Sequence, residues 1–199
     1  MKKWLVPVLI IGAIVLGIYF LFVGKYNSAV DKQEEARRSW ADVESSYQRR
    51  NDLIDNLVST VRGAADFERG TLTDVIEARA KATSVNVDAE NLSEAQIEQF
   101  RRAQGEVSSA LSRLLVTVER YPELKATQNF QQLQSQLEGT ENRINVARNR
   151  YNESVTEYNR FIRRFPNNVI VGMYGFDRMP PYASDPGAET APDVEFDFN

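Results

Sequence analysis

The sequence predicts an all-α protein in which an N-terminal transmembrane helix is followed by an antiparallel bundle of four helices, two of them long. Three observations predict it. Trp4 to Val23 is an uncharged apolar run of about 20 residues, the length a helix needs to cross a bilayer. From Tyr26 to Thr127 only Pro122 interrupts the chain, and the other six of the seven prolines lie outside that stretch. Along it, apolar residues recur at alternating spacings of three and four, the period of one helix face.

The first element is the anchor, residues 1–25. Trp4 and Tyr19 stand near its two ends, where amphipathic rings favour the membrane interface. A cleaved signal peptide would need small residues after its apolar core. Here the core ends Phe20-Leu21-Phe22-Val23, and no cysteine follows for lipid attachment. Lys2 and Lys3 favour an N-terminus inside, against competition from Lys25, Lys32, Arg37 and Arg38. Acidic neighbours count little in this rule and large domains translocate readily, so the bundle is expected outside the cytoplasm. Ala13 and Gly17 form a small-xxx-small pair, which offers a surface for homo-oligomerisation.

The bundle follows over residues 26–165. Its first helix, from about Tyr26 to Ala65, carries Trp40, Val43, Tyr47, Ile54, Leu57 and Val61 on one face. A short helix from Thr71 to Thr83 turns Leu72, Val75 and Ile76 inward. Ser93 and Gln96 have the spacing of a capping box and open a third helix bearing Ile97, Phe100, Val107, Leu111, Leu114 and Val118. Pro122 pushes Tyr121 out of the helical region and ends it. The fourth helix runs from about Thr127 to Arg164, roughly 57 Å at 1.5 Å per residue. Its stripe is Phe130, Leu133, Leu137, Ile144, Tyr151, Val155, Tyr158, Ile162 and Phe165. The first and fourth helices have nearly equal lengths, so they pair antiparallel with residue numbers summing to about 191. That register sets Trp40 beside Tyr151, Tyr47 beside Ile144 and Ile54 beside Leu137. The short second helix covers only the distal half, so the bundle narrows toward the membrane.

Two segments close the chain. Residues 166–182 hold the apolar, glycine-containing stretch Val169–Phe176, expected at the membrane surface. Residues 183–199 contain five acids and no base and read as a disordered tail. Its end, Val194-Glu195-Phe196-Asp197-Phe198, alternates apolar and acidic residues in the manner of a segment that adds as a strand to a partner.

Composition excludes most chemistry. The net charge of -4 argues against a nucleic-acid partner. The chain has no cysteine and no histidine, which removes disulfides, thiolate metal sites, Ser-His-Asp triads and most catalytic zinc. Glu68, Glu77, Glu119, Glu138 and Glu141 lack the Glu-x-x-His partners that di-iron bundles use. No cofactor, no metal and no enzymatic activity are expected.

Polar residues on helices that must be buried carry more information. Tyr151-Asn152 and Tyr158-Asn159 repeat at a seven-residue interval and so share a face, and Tyr26-Asn27 opens the first helix with the same dipeptide. Arg49, Arg50, Asn51, Asp52 and Asn56 cluster in the middle of that helix. Asparagine is a poor helix former, so its repeated use points to hydrogen bonds between elements. Arg50, Asp52, Asn56, Asn152 and Asn159 are the candidate polar network. They serve either to fix register between helices or to line a polar binding groove.

Several stretches resemble the LemA family of bacterial membrane proteins: RRNDLIDNLVSTVRG at 49–63, EARAKA at 77–82, the long segment from Glu119 to Asn159, RFPNNVIVGMYGF at 164–176, and the closing APDVEFDF. Asp55 stands where the family usually has proline, which should leave the first helix straighter. Phe67 stands where histidine often precedes glutamate, which speaks against chemistry by such a pair. The resemblance implies a helical bundle on one N-terminal anchor, and it implies no reaction. The expected role is a non-enzymatic interaction or scaffold protein of the bacterial cell envelope, held in the inner membrane, with the lipid bilayer and an unknown envelope protein as partners. The alternative is a ligand or peptide sensor with a groove between helices.

Overall fold

The computed structural model describes residues 4–63 and 67–183. Among them are six helices: α1 (Leu5–Arg62), α2 (Arg69–Ser84), α3 (Glu94–Val118), α4 (Pro122–Lys125), α5 (Gln128–Arg163) and α6 (Asn167–Gly172). The acidic tail from Ser184 onward lies outside the described residues.

The apolar run and the first bundle helix are one element. α1 continues for 58 residues without a break, and no proline or glycine pair interrupts it where the apolar run gives way to charge. From Val6 to Leu21 the side chains of the run are exposed, while Ala29, Ala36, Trp40 and Val43 further along are wholly buried. Asp55, in the place of a proline, keeps the helix going and reaches Arg79 of α2 in an ion pair.

α1 rises, α2 descends, α3 rises again and α5 returns beside α1. The predicted register holds: the Trp40 and Tyr151 rings meet edge to face with centroids 5.2 Å apart. Tyr47 shares one apolar cluster with Ile144. Ile54 shares a second, distal cluster with Leu137. In that distal cluster α1, α2, α3 and α5 all contribute, as a four-helix bundle requires. Closer to the membrane end α2 and α3 have ended. There α6 and the segment after it, through Val171, Met179 and Tyr182, close the core instead.

The capping box at Ser93 forms in both directions: Gln96 N–H donates to Ser93 Oγ at 3.2 Å and Ser93 N–H donates to Gln96 Oε1 at 3.0 Å. Pro122 does end α3, and it then starts the single turn of α4 as its first residue.

Two stripe assignments fail. Ile76 is 39% exposed rather than inward, because α2 is covered on one face only, by α3 and α1. Phe165 is 83% exposed, because Arg164 is already extended at φ -79, ψ 140 and breaks the helical phase one residue earlier.

Candidate functional site

The polar residues separate into two layers about 16 Å apart along α5, taking Glu141 and Asn152 as their markers. They do not form one network.

The upper layer is built on Arg50, which is 2% exposed. Its Nη1 donates to Ser108 Oγ at 2.9 Å and to Glu141 Oε2 at 3.3 Å, and its Nη2 donates to Gln104 Oε1 at 2.8 Å and the Gln104 carbonyl at 3.1 Å. The guanidinium also lies 4.9 Å from the Tyr47 ring centre. One residue on, the Asn51 carbonyl accepts from Arg79 Nε at 3.1 Å. The Arg50-Asn51 dipeptide therefore ties α1 to α2, α3 and α5 in a single layer. Asp52 and Asn56, expected to belong here, are exposed: on a helix they follow Arg50 by two and six residues and project away from the stripe. The members missed are Asn51, Gln104, Ser108, Arg79 and Glu141. A signal for one of them was present, since Gln104, like Arg50, occupies a stripe position of its helix and is polar there.

The lower layer is built on Asn152 and Asn159. Asn159 Nδ2 donates to the Met179 carbonyl at 2.8 Å and its Oδ1 accepts from the Met179 N–H at 3.0 Å. Asn152 does the same with Tyr182, at 3.0 and 2.8 Å. Between these two-point pairs, Tyr158 Oη donates to the Asp177 carbonyl at 2.8 Å and Tyr151 Oη to the Pro180 carbonyl at 2.7 Å. Residues 177–182 are thus strapped along α5, running the opposite way. Seven helix residues, about 10.5 Å, are matched by three strap residues, so the strap is fully extended. Pro180 and Pro181 have no N–H to satisfy, and the N–H groups on either side of them are the two that the asparagines accept.

Gly175 makes the strap possible. Its φ of +73° turns the chain back after α6, and a side chain would be strained there. Asn27, which belongs to the same dipeptide pattern, is exposed and takes no part in this layer.

Burial pushes the tyrosines of both layers toward the neutral form. Burial raises the Tyr47 hydroxyl above its usual value, and burial followed by the nearby Asp177 pushes Tyr158 up to about 12. Tyr151 is raised further by burial alone. Tyr151 and Tyr158 donate to backbone carbonyls, and the Tyr47 hydroxyl shares a hydrogen bond of 2.9 Å with that of Tyr182. A surface depression of about 740 Å³ between α2 and α3 is lined by Asp74, Lys81, Arg102, Glu106 and Arg113 among others. Lys81 pairs with Glu106, Arg113 with Asp74 and Arg102 with Glu98, so these charges answer one another. Glu68 pairs with Arg120, Glu119 with Lys125 and Glu141 with Arg50, each at a different place.

A family model described as the LemA family matches residues 39–196, well over half of the chain. The chain belongs to the LemA family. Both polar layers lie inside the matched residues. This LemA-family chain is 26% identical to Protein LemA of Metamycoplasma hominis over 154 residues, 76% of this chain and 66% of the relative. It is 25% identical over 185 residues to Magnetosome protein MamQ of Magnetospirillum gryphiswaldense, 83% of this chain and 67% of that protein. Magnetosome protein MamQ 2 of Paramagnetospirillum magneticum matches over the same length at 24%. About two thirds of each relative's length is spanned. Together with an apolar stretch of α1 that is exposed throughout and long enough to cross a bilayer, these matches make the LemA-family chain a membrane-associated protein.

Proposed function

We propose that this chain is a single-pass, non-enzymatic scaffold of the bacterial cell envelope, anchored in the inner membrane with its N-terminus inside. The observation that carries this reading is the continuity of α1 from an exposed apolar stretch into the bundle core. A helix without a hinge transmits the orientation of its membrane part to its far end. From Gly24 to Arg62 it rises about 57 Å, which sets α4 and the turns beside it at that height. The polar layers support a structural role for the interior: the terminal nitrogens of Arg50 and the side chains of Asn152 and Asn159 are bound to the protein's own groups, while Arg50 Nε and Asn51 Oδ1 are buried with no hydrogen-bond partner. The test is a photoreactive residue at Val116, exposed near the distal end, with Val146 on the shaft as control, in intact cells. A discrete adduct at Val116 and none at Val146 supports the scaffold. No adduct at Val116 or at other distal positions speaks against it.

A second reading rests on the strap. The asparagine pairs hold backbone atoms and ignore side chains, which is how a groove binds an extended peptide of any sequence. In that reading residues 177–182 occupy the groove until another segment replaces them. The buried side chains of Met179 and Tyr182 favour a permanent strap. A synthetic peptide matching residues 176–183 that increased exchange of the Tyr182 amide would favour the groove.

A further inference from the structure

The membrane end of the bundle carries a surface that the scaffold reading leaves unexplained. Phe165 is 83% exposed, Met173 71%, Tyr174 58% and Val169 54%. Among the described residues beyond Tyr26, the other exposed large apolar side chains are Ile76, Val116 and Val146, which lie on separate helices. Four together on one short stretch are therefore a patch and not the ordinary scatter of surface apolar residues.

The height of the patch is fixed by contacts to α1. The Tyr174 ring lies 5.0 Å from the Tyr26 ring, and the Phe176 ring 5.6 Å from it. Lys25 Nζ stands 5.9 Å from the centre of the Phe161 ring. Residues 25 and 26 come directly after the apolar run ends at Val23, so the patch is level with the edge of the hydrocarbon. Tyr26 and Tyr174 sit where an aromatic belt forms.

Three arginines stand beside the patch, and the acid that follows it in the chain is Asp177. Arg160, Arg163 and Arg164 are exposed, none has a side-chain partner, and with Thr156 and Asn159 they frame a depression of about 420 Å³. The nearest acid on the same turn, Glu157, is engaged by Lys32 at 3.1 Å. In the antiparallel register the three arginines are level with residues 27–31 of α1, about 6–12 Å beyond Val23. That is the depth of lipid headgroups, and a guanidinium matches phosphate geometry through two parallel hydrogen bonds.

We propose that this end of the bundle is a foot seated in the headgroup layer of an anionic bilayer, with Phe165, Val169, Met173 and Tyr174 at the interface and Arg160, Arg163 and Arg164 on lipid phosphates. The proposal rests on the reading that the apolar part of α1 crosses the membrane. A second point of attachment beside the crossing helix fixes the rotation and tilt of the shaft, which a single helix leaves free.

The chain has no cysteine, so one introduced cysteine takes a spin label alone. Ile14→Cys, Met173→Cys and Val146→Cys are labelled in the full chain, reconstituted in vesicles of equal parts phosphatidylcholine and phosphatidylglycerol. Collision with oxygen against collision with a water-soluble nickel chelate reports depth. The label at Ile14 is expected deep in the hydrocarbon and that at Val146 in water. The label at Met173 should be shielded from nickel several-fold relative to Val146. Replacing the three arginines by glutamine, or using phosphatidylcholine alone, should reduce that shielding. A deep Ile14 with Met173 as accessible as Val146 overturns the foot and leaves the crossing helix standing. An accessible Ile14 overturns both. Shielding at Met173 that ignores the arginines and lipid charge overturns headgroup recognition.

Discussion

Removing the two asparagines should release the strap while leaving the bundle folded. The strap is held by seven hydrogen bonds, two to each asparagine and one to each of Tyr47, Tyr151 and Tyr158, and by burial of Met179 and Tyr182. At about 1 kcal/mol net per bond the first term is about 7 kcal/mol. Burying the two side chains adds about 4–5 kcal/mol. Ordering six backbone residues costs about 6–12 kcal/mol. The strap is held by a margin of a few kcal/mol at most. Asn152→Ala with Asn159→Ala removes four bonds, about 4 kcal/mol, and leaves the Met179 and Tyr182 N–H groups without acceptors. Release is then the cheaper outcome. Amide hydrogen exchange of the full chain in detergent micelles measures it. Exchange at Met179 and Tyr182 should rise by the whole of that margin, on the order of a hundred-fold for about 3 kcal/mol, while the amides around Ile54 and Leu114 keep their protection. A rise below about ten-fold would show that the asparagines do not hold the strap. Exposed Asn56→Ala serves as control, with an effect within about 0.5 kcal/mol.

Other outcomes follow from the same geometry. Trp40→Ala, which empties a site packed by Phe100 and Tyr151, should cost about 3–5 kcal/mol in urea unfolding, and a loss below about 1 kcal/mol would contradict its burial. Arg50→Ala should cost about 3–5 kcal/mol by orphaning Gln104 and Ser108 and emptying the space of the side chain, and Arg50→Met distinctly less, since methionine refills part of that space while Glu141, half exposed, regains water in both variants; equal losses would place the cost in the lost hydrogen bonds and not in packing. Alkaline pH should unfold the protein steeply. Tyr47, Tyr151 and Tyr158 are raised above the usual 10.0, so their stabilisation is complete below about pH 10. It is lost as pH rises through the folded values, near 12 for Tyr158, at up to about 1.4 kcal/mol per pH unit for each. Tyrosinate absorbance should show these hydroxyls ionising only as helical circular dichroism falls; ionisation of all eight tyrosines near pH 10 with helix intact would refute it.

The helices and their pairing were legible because apolar stripes have a period that any chain region displays locally, and because α1 beyond the apolar run and α5 are of equal length. Register came from that equality and was right at Trp40–Tyr151. What escaped has no period. Residues 177–182 are extended and contain two prolines, so nothing in their own sequence marks them as part of the core. Asn152 and Asn159 announced that they needed partners without saying that the partner was backbone. The upper layer was half legible. Arg50 stood out, but Asp52 and Asn56 were grouped with it by nearness in sequence, and a helix sets such neighbours on different faces. Following the stripes strictly would have reached Gln104, a polar residue between Phe100 and Val107. Phe165 was miscounted because the stripe was extended through the residue before Pro166, where the helical phase is lost.

The central claim is that one unbroken helix carries the bundle upright from the bilayer. It is tested most directly by energy transfer from a fluorophore on Val116→Cys to acceptor lipids, with the full chain reconstituted in bilayer discs. An upright shaft with the usual helix tilt of about 20° places the label roughly 40 Å or more from the nearer lipid surface. A height below about 20 Å would mean that the bundle lies along the membrane, and that α1 bends where the structure has it straight.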